Sequence, residues 1–409
     1  MKEKPQHVKM DQFSNSENCL LVGNIPITQL AEQVGQTPFF AYDRQVIKNK
    51  VNLLRDILPK EIHLHYAIKA NPMPAIVQYM SSLVDGFDLA SAGEMKIALD
   101  TTMPKHHISF AGPGKTDKEL KQAIAAEVVI NIESENEMRR ISKIGQQLNL
   151  TPKLAIRVNP DFELKASGMK MSGGPKQFGI DAERIPETLS EMNQLPVSFH
   201  GFHIFSGSQN LNADSIIDAH NKTFELAFRL TDSAPNAPQL LNIGGGLGIP
   251  YFPGDKPIDL KSVGENLHRL LPEIKNNLPE TEIVMELGRF LVGESGVYVS
   301  RVIDKKVSRG ETFLIVDGGL HHQLAASGNF GQVIRKNYPA AVANKLSGQK
   351  ELVNVVGPLC TPLDLLSNKM ELTQADVGDL IAIFQSGAYG RTASPENFLS
   401  HPPSLEILV

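Results

Sequence analysis

The stretch "LHYAIKANP" (64–72) has the pattern of a buried β-strand that ends on a lysine and then enters a turn. Burying an ammonium group is costly, so a lysine at this point indicates a chemical use for its amine. A structural Lys69, paired with a carboxylate, is the alternative. Residues that act together with Lys69 are expected at the ends of the neighbouring strands.

Apolar runs alternate with amphipathic helical stretches as far as residue 289. The predicted strands are "IHLHYAIK" (62–69), "DGFDLAS" (85–91), "HISFAG" (107–112), "VVINIE" (128–133), "KLAIRVN" (153–159), "SFHGFHIF" (198–205), "LLNIGG" (240–245) and "EIVMELG" (282–288). Eight such strands predict an α/β fold, a (β/α)8 TIM-like barrel over residues 43–289. An open doubly wound sheet uses the same alternation and is the alternative.

After residue 290 the pattern changes to one typical of β-structure. "GVYVSRVIDKKVSRGETFLIVDGG" (296–319) predicts two long strands around the turn "SRGE", and "QTPFFAYD" (36–43) predicts one more strand for the same domain. We therefore expect a mostly-β domain made of residues 1–42 and 290–409. The Gly/Ser/Lys-rich segment 160–182 is either an active-site loop or a solvated insertion.

Composition excludes several classes of protein. The formal net charge of -5 and pI of about 6.2 do not favour nucleic-acid or anionic-membrane partners. No run approaches the roughly 20 apolar residues of a membrane span. Cys19 and Cys360 form no CxxC pair, so we expect neither a disulfide scaffold nor a metal site, and we expect a cytoplasmic protein. His200 and His203, three residues apart on one strand, face opposite sides and cannot bind one metal together.

Polar residues gather at the ends of the predicted strands, where barrel proteins place their functional groups. They are Lys69, Asp88, Arg157, His203, Ser206, Glu286 and Arg289. The seventh strand ends in "GGGLG" (244–248), whose backbone N–H groups can approach an anion closely. A tight turn without a ligand is the alternative.

A lysine, an anion site and a carboxylate at three strand ends are the parts that pyridoxal 5'-phosphate requires. The lysine forms the Schiff base, the glycines and Arg289 bind the phosphate, and Glu286 pairs with the pyridine nitrogen. A structural ion pair between Glu286 and Arg289 is the alternative interpretation.

Seven motifs occur in order across nearly the whole chain: "HYAIKANP", "FDLASAGE", "GFHIFSGSQ", "GGGLG", "ELGR", "GPLCTPLD" and "GAY". Together they resemble the pyridoxal-phosphate decarboxylases of the alanine-racemase-like fold, which include ornithine, diaminopimelate and arginine decarboxylases. The resemblance implies a barrel, a β domain and a homodimer whose active sites use residues from both chains.

The resemblance also implies roles for single residues. Lys69 would carry the cofactor, His203 would stack on its ring, and Cys360 of the partner subunit would return a proton to the substrate carbon. The implied cofactor contacts are Asp88, Ser206, Gly244, Gly245, Gly246, Glu286, Gly288, Arg289 and Tyr389. The implied substrate contacts are Arg157, Thr361, Asp364 and His321.

At one position linked to substrate choice, this sequence differs from the common members of the family. Diaminopimelate and ornithine decarboxylases carry an acidic residue directly after the motif cysteine, whereas this chain has Thr361. The motifs "ISFAGPGK" and "HHQLAASGNFGQVIRKN" resemble a branch with carrier-protein-linked glutamyl decarboxylases and exopolysaccharide-cluster or exosortase-associated decarboxylases. A carrier-tethered amino-acid substrate is therefore expected before a free diamino acid.

Two other functions remain open from the sequence. An amino-acid racemase of the same fold would place an arginine against the pyridine nitrogen, where this chain has Glu286. A non-catalytic decarboxylase-like regulator would have lost cofactor-binding residues, and this chain retains them.

Overall fold

The structure, a computed structural model, describes residues 5–162, 169–170 and 173–409. Parts of the predicted loop 160–182, residues 163–168 and 171–172, lie outside this description. The chain divides into a barrel unit, residues 51–249 and 257–288, and a β unit, residues 1–50, 250–256 and 289–409. The short segment 250–256 belongs to the β unit, a detour for which the sequence pattern gave no sign.

The barrel unit contains eight parallel strands at the predicted places. They are β1 (Ile62–Ala67), β2 (Gly86–Leu89), β3 (Ile108–Phe110), β4 (Val129–Ile132), β5 (Lys153–Asn159), β6 (Ser198–Ile204), β7 (Leu240–Asn242) and β8 (Glu282–Leu287). Each pairs with the next, β4 pairs with β5, and β8 pairs with β1, so the sheet closes. The predicted barrel is confirmed, and the open-sheet alternative is wrong.

Helices separate the strands. They are α1 (Arg44–Ile57), α2 (Pro74–Met80), α3 (Ala92–Leu99), α4 (Asp117–Ala126), α5 (Glu135–Leu148), α6 (Ile185–Met192), α7 (Ala213–Thr231) and α8 (Leu260–Asn277). Thr116 begins α4 with a complete capping box, in which its side chain and that of Glu119 bond each other's backbone N–H.

Ser134 and Glu137 have the three-residue spacing of a capping box at the N-terminus of α5, but only one half of the box forms. The Ser134 hydroxyl accepts the N–H of Glu137, as expected for a cap. The Glu137 carboxylate, however, accepts the N–H of Glu133 and pairs with the buried ammonium of Lys115. A buried cation therefore draws the glutamate away from the reciprocal cap.

The β unit is built around one mixed sheet. Its path runs through Ala340–Val342, Leu380–Ile383, Gly296–Ser308, Glu311–Val316, Lys350–Val356 and Leu365–Thr373. Phe39–Tyr42 pairs with Gly296–Ser308 and with Leu405–Leu408, which confirms the strand predicted in 36–43. The predicted hairpin around "SRGE" is also confirmed, because Arg309 and Gly310 form the turn with positive φ angles.

Smaller elements complete the β unit. A three-stranded sheet (Asn15–Ser16, Cys19–Val22, Ile25–Pro26) precedes the helix Ile27–Val34, and a single helical turn, Arg289–Val292, opens the last part of the chain. Leu30, Phe39 and Val297 lie in its main apolar core and are fully buried. Among the described residues of both units, no helix combines the length and apolar character that crossing a membrane requires.

Candidate active site

Lys69 stands in a short helical turn, Ile68–Ala70, directly after β1. Its Nζ lies 3.5 Å from Oε1 of Glu286 at the end of β8 and 5.7 Å from the centre of the Phe205 ring. The Lys69 side chain is 43% exposed, whereas that of Glu286 is 6% exposed. The amine is thus accessible while its counter-charge is held inside the barrel.

Glu286 is the centre of this group. Its Oε2 lies 3.1 Å from Nε2 of His203 on β6 and accepts a hydrogen bond from the Asn242 amide at 3.4 Å. Burial alone would raise the pKa of Glu286, but the nearby Lys69 ammonium and His203 outweigh it and hold the pKa well below its usual range. Glu286 is therefore an ionised carboxylate that can pair with a cation.

The glycine run after β7 forms a cradle that side chains would fill. A Cβ on Gly245 would lie 1.9 Å from the carbonyl oxygen of Glu286, and one on Gly246 would lie 2.5 Å from that of Gly207. Gly244 and Gly246 also have positive φ angles. Within the described residues, the N–H groups of Gly245 and Gly246 donate to no protein acceptor. This arrangement is suited to binding an anion.

Gly288 is required for a different reason. A Cβ there would lie 2.8 Å from Cβ of Ala70 and 3.2 Å from the carbonyl oxygen of Ala67. The chain leaving β8 therefore packs directly against the turn that carries Lys69, which fixes the position of that turn.

The residues of the barrel fit pyridoxal phosphate. They offer an accessible amine, an ionised carboxylate and open backbone donors. Neither ring nitrogen of the buried His203 makes a well-aligned hydrogen bond with the described protein atoms. Its near polar neighbour is Oε2 of Glu286, 3.1 Å from Nε2.

Other predicted barrel residues have partners of their own. Asp88 accepts a hydrogen bond from Ser109 and lies 3.3 Å from Nδ1 of His65. Arg157 pairs with Glu133 at 2.8 Å and stacks over the Phe178 ring. Ser206 is buried just after β6. The roles predicted for these residues stay predictions.

The β unit holds the remaining predicted residues. Arg289 donates a hydrogen bond to Tyr251 at 2.9 Å and lies over the Tyr389 ring, 4.6 Å from its centre. Cys360 is exposed and Thr361 is partly exposed. Tyr251 was missed because it belongs to the unforeseen segment 250–256.

Asp364 and His321 are both buried in the β unit. The Asp364 carboxylate accepts the backbone N–H groups of Leu320 at 2.6 Å and Leu359 at 2.9 Å, which ties two loops together. The His321 ring lies against the His322 ring, with ring centres 3.7 Å apart and planes tilted by 43°, and burial beside His322 and His401 lowers the pKa of His321 to about 3. His321 is therefore neutral at physiological pH.

Two contributors to the barrel site were missed from the sequence. Asn242, which orients Glu286, directly precedes Ile243 and the glycine run, and its place at a strand end was the signal that could have found it. Phe205, beneath the Lys69 amine, gave no signal because aromatic residues also fill cores.

Comparison with known proteins identifies the family. Residues 44–293 match the family described as "Pyridoxal-dependent decarboxylase, pyridoxal binding domain". The L-glutamyl-[BtrI acyl-carrier protein] decarboxylase of Niallia circulans is 36% identical and aligns with 93% of this chain and 90% of that protein. The 2-[(L-alanin-3-ylcarbamoyl)methyl]-2-hydroxybutanedioate decarboxylase of Staphylococcus aureus is 30% identical, covering 92% and 95%.

A solved structure agrees with these relatives. The diaminopimelate decarboxylase from M. jannaschii superposes with a TM-score of 0.88 at 26% identity and covers 97% of this chain and 92% of that chain. The resemblance drawn from the sequence motifs is confirmed, and the racemase and non-catalytic alternatives lose their support. The chain belongs to the pyridoxal-dependent decarboxylases, and it is an amino-acid decarboxylase.

Proposed function

We propose that this chain binds pyridoxal 5'-phosphate through Lys69 and removes the α-carboxylate of an amino acid tethered to a carrier protein by its side chain. The observation that carries the cofactor assignment is the pairing of an accessible lysine amine with a buried, ionised glutamate 3.5 Å away. When bound, pyridoxal phosphate supplies an electron sink for the electron pair left behind as CO2 departs.

The proposed cofactor contacts follow from the chemistry of each group. The open N–H groups of Gly245 and Gly246 suit a phosphate, and Gly244 and Ser206 border them. The ionised Glu286 carboxylate suits the pyridine nitrogen, which it would keep protonated. The face of the His203 imidazole suits the ring. From the resemblance alone we add Asp88, Arg289 and Tyr389 to this set.

Glu286 is the residue that favours decarboxylation over racemisation. A carboxylate stabilises positive charge on the partner nitrogen, whereas an arginine there would disfavour it. Asn242 holds one of its oxygens, so Glu286 is oriented before any ligand arrives. The Lys69 Nζ lies 3.5 Å from this carboxylate.

Protonation of the substrate carbon is assigned to Cys360 of the partner subunit. The Cys360 thiol is exposed in the single chain, which leaves it accessible to a second copy. We therefore propose a homodimer in which each site uses residues from both copies. Arg157, Thr361, Asp364 and His321 are the proposed substrate contacts.

The proposed substrate class rests on the relatives and on Thr361, which stands where the diamino-acid decarboxylases have an acidic residue. The relative at 36% identity is named for a glutamyl group on an acyl-carrier protein. Such a substrate can lose its α-carboxylate only if its side-chain carboxyl makes the link to the carrier. Its distal end then has no free charge, which agrees with the neutral Thr361 after Cys360.

The test is CO2 release by the cofactor-loaded protein. The probe is L-glutamate joined through its side-chain carboxyl to pantetheine as a thioester, compared with free glutamate, meso-diaminopimelate and L-ornithine. We expect turnover of the thioester and little turnover of the free amino acids. If the enzyme turned over diaminopimelate and left the thioester unchanged, the substrate would be a free diamino acid and not the carrier-linked glutamyl group. The Lys69→Ala variant controls for uncatalysed CO2 loss.

A further inference from the structure

The amino-terminal end of the barrel brings together three residues that are far apart in sequence. His63 lies on β1, Glu282 begins β8, and His107 ends the short turn before β3. Oε1 of Glu282 lies 2.8 Å from Nδ1 of His63 and 3.8 Å from Nδ1 of His107. All three ligand atoms lie within 4.8 Å of one another.

One contact within the group is an ion pair, between Nδ1 of His63 and Oε1 of Glu282 at 2.8 Å when His63 is protonated. It leaves Nδ1 of His107 without a partner, since that atom lies 3.8 Å from Glu282. All three atoms are buried at the atomic level, and none has a well-aligned hydrogen bond among the residues that the structure describes. Buried polar atoms in native proteins nearly always have partners, so three adjacent exceptions point to a missing common partner.

The two separations from Glu282 are close to those of ligands around a small metal ion. Zinc binds histidine nitrogen and carboxylate oxygen at about 2.0–2.2 Å, so tetrahedral ligand atoms lie about 3.3–3.5 Å apart. The two contacts of Glu282, 2.8 and 3.8 Å, bracket this distance. Two imidazoles and a carboxylate are also the ligand types preferred by zinc and neighbouring divalent transition metals.

The group lies near the protein surface. The side chains of His63, His107 and Glu282 are 38%, 24% and 30% exposed, although the three ligand atoms themselves are buried. The ring of His106 lies 4.3 Å from that of His107. A site of three protein ligands with an open position would result.

From this geometry we propose that His63, His107 and Glu282 bind one divalent transition-metal ion, with zinc as the best match. The ion ties β1, β8 and the segment before β3 together at one end of the barrel. Glu282 and Glu286 are four residues apart on β8, about 13 Å along the strand. The ion is thus remote from Lys69, and its effect is on stability, which suits the amino-terminal face of a barrel.

The proposal is tested on untagged, cofactor-loaded protein that has been stripped with a chelator and dialysed against zinc chloride. We expect one zinc per chain by elemental analysis and a higher melting temperature than in the stripped protein. His63→Gln and His107→Gln should each weaken zinc binding at least tenfold by titration calorimetry. His268→Gln, at an exposed position on α8, is the matched control and should leave zinc affinity unchanged.

Two results would overturn the proposal: wild-type protein that retains no zinc, or His63→Gln and His107→Gln variants that bind zinc as tightly as the His268→Gln control. The wild-type result does not depend on whether a variant folds. His107→Gln is the variant less prone to misfolding, because His107 lies outside the barrel strands and takes no part in strand pairing.

Discussion

The Lys69 ammonium and the Glu286 carboxylate lie 3.5 Å apart, on the turn after β1 and at the end of β8, which pair directly with each other to close the barrel. Closure of the sheet therefore brings the first and last strands, more than 200 residues apart in sequence, into one site. The amine and its counter-charge exist as a pair only because the barrel is complete.

Replacing Glu286 by Gln should reduce the rate of CO2 release by about 10²–10³-fold, because a neutral amide cannot stabilise charge in the way that the carboxylate does. Cofactor binding should persist, since Lys69 and the glycine cradle remain. Steady-state kinetics and the visible spectrum of the bound cofactor measure the two effects separately. Glu225→Gln, an exposed position on α7, should match the wild type. A Glu286→Gln enzyme with unchanged kcat would remove Glu286 from the proposed mechanism.

Replacing Thr361 by Glu should shift preference towards a free diamino acid. The new carboxylate follows Cys360, where the diamino-acid decarboxylases carry an acidic residue, and it can pair with a distal ammonium group. We expect the ratio of kcat/KM for diaminopimelate to that for the glutamyl thioester to rise at least tenfold. Thr361→Ser, which keeps the hydroxyl, should leave this ratio near that of the wild type. An unchanged ratio in Thr361→Glu would separate this position from substrate choice.

Replacing Asp364 by Ala should destabilise the protein by about 2–4 kcal/mol, because two backbone N–H groups lose a charged acceptor. Urea unfolding measures this loss. Asp364→Asn keeps one carbonyl acceptor and should lose less. If Asp364→Ala lowered activity while the free energy of unfolding stayed the same, Asp364 would act on the substrate and not on the two loops.

His220 should make the stability of the protein sensitive to acid. It is fully buried on α7, and burial lowers its pKa from 6.5 to about 4. The unfolded chain therefore binds a proton near pH 6.5 that the folded chain refuses until about pH 4, so stability falls as the pH drops through this window. Between pH 7 and pH 5 the expected loss is about 2 kcal/mol.

The His220→Leu variant isolates this effect. Urea unfolding at pH 7 and pH 5 should show a smaller loss of stability on acidification in the variant than in the wild type. Any packing change caused by leucine is present at both pH values and cancels in the comparison. Equal losses in the two proteins would show that His220 is not the group responsible.

Local patterns in the sequence were sufficient to predict where the barrel strands lie and most of the polar residues at their ends. Alternation of apolar runs located all eight barrel strands. Lys69, His203 and Glu286 were predicted as site residues because each lies at or near a strand end, and the structure brings their side chains together. Closure of the sheet was left open between two architectures, since it depends on pairing between β8 and β1 that no local pattern reports.

Contacts between segments that are distant in sequence could not be predicted from local patterns. His63, His107 and Glu282 meet only through the folded sheet, and their spacing along the chain resembles no metal motif, so no metal site was expected. The spacing of Ser134 and Glu137 is that of a capping box, yet Glu137 pairs with the buried Lys115, which lies 22 residues away in sequence.

The most direct test of the role proposed for Lys69 is to reduce the cofactor-loaded protein with borohydride, which fixes the cofactor to the lysine that carries it, and to locate the modified peptide by mass spectrometry. We expect one modified lysine per chain, Lys69, in the peptide that contains "HYAIKANP". We expect no specific modification in Lys69→Arg, which keeps the charge but cannot form the link. Modification of a different lysine, or none in protein that releases CO2, would contradict this role.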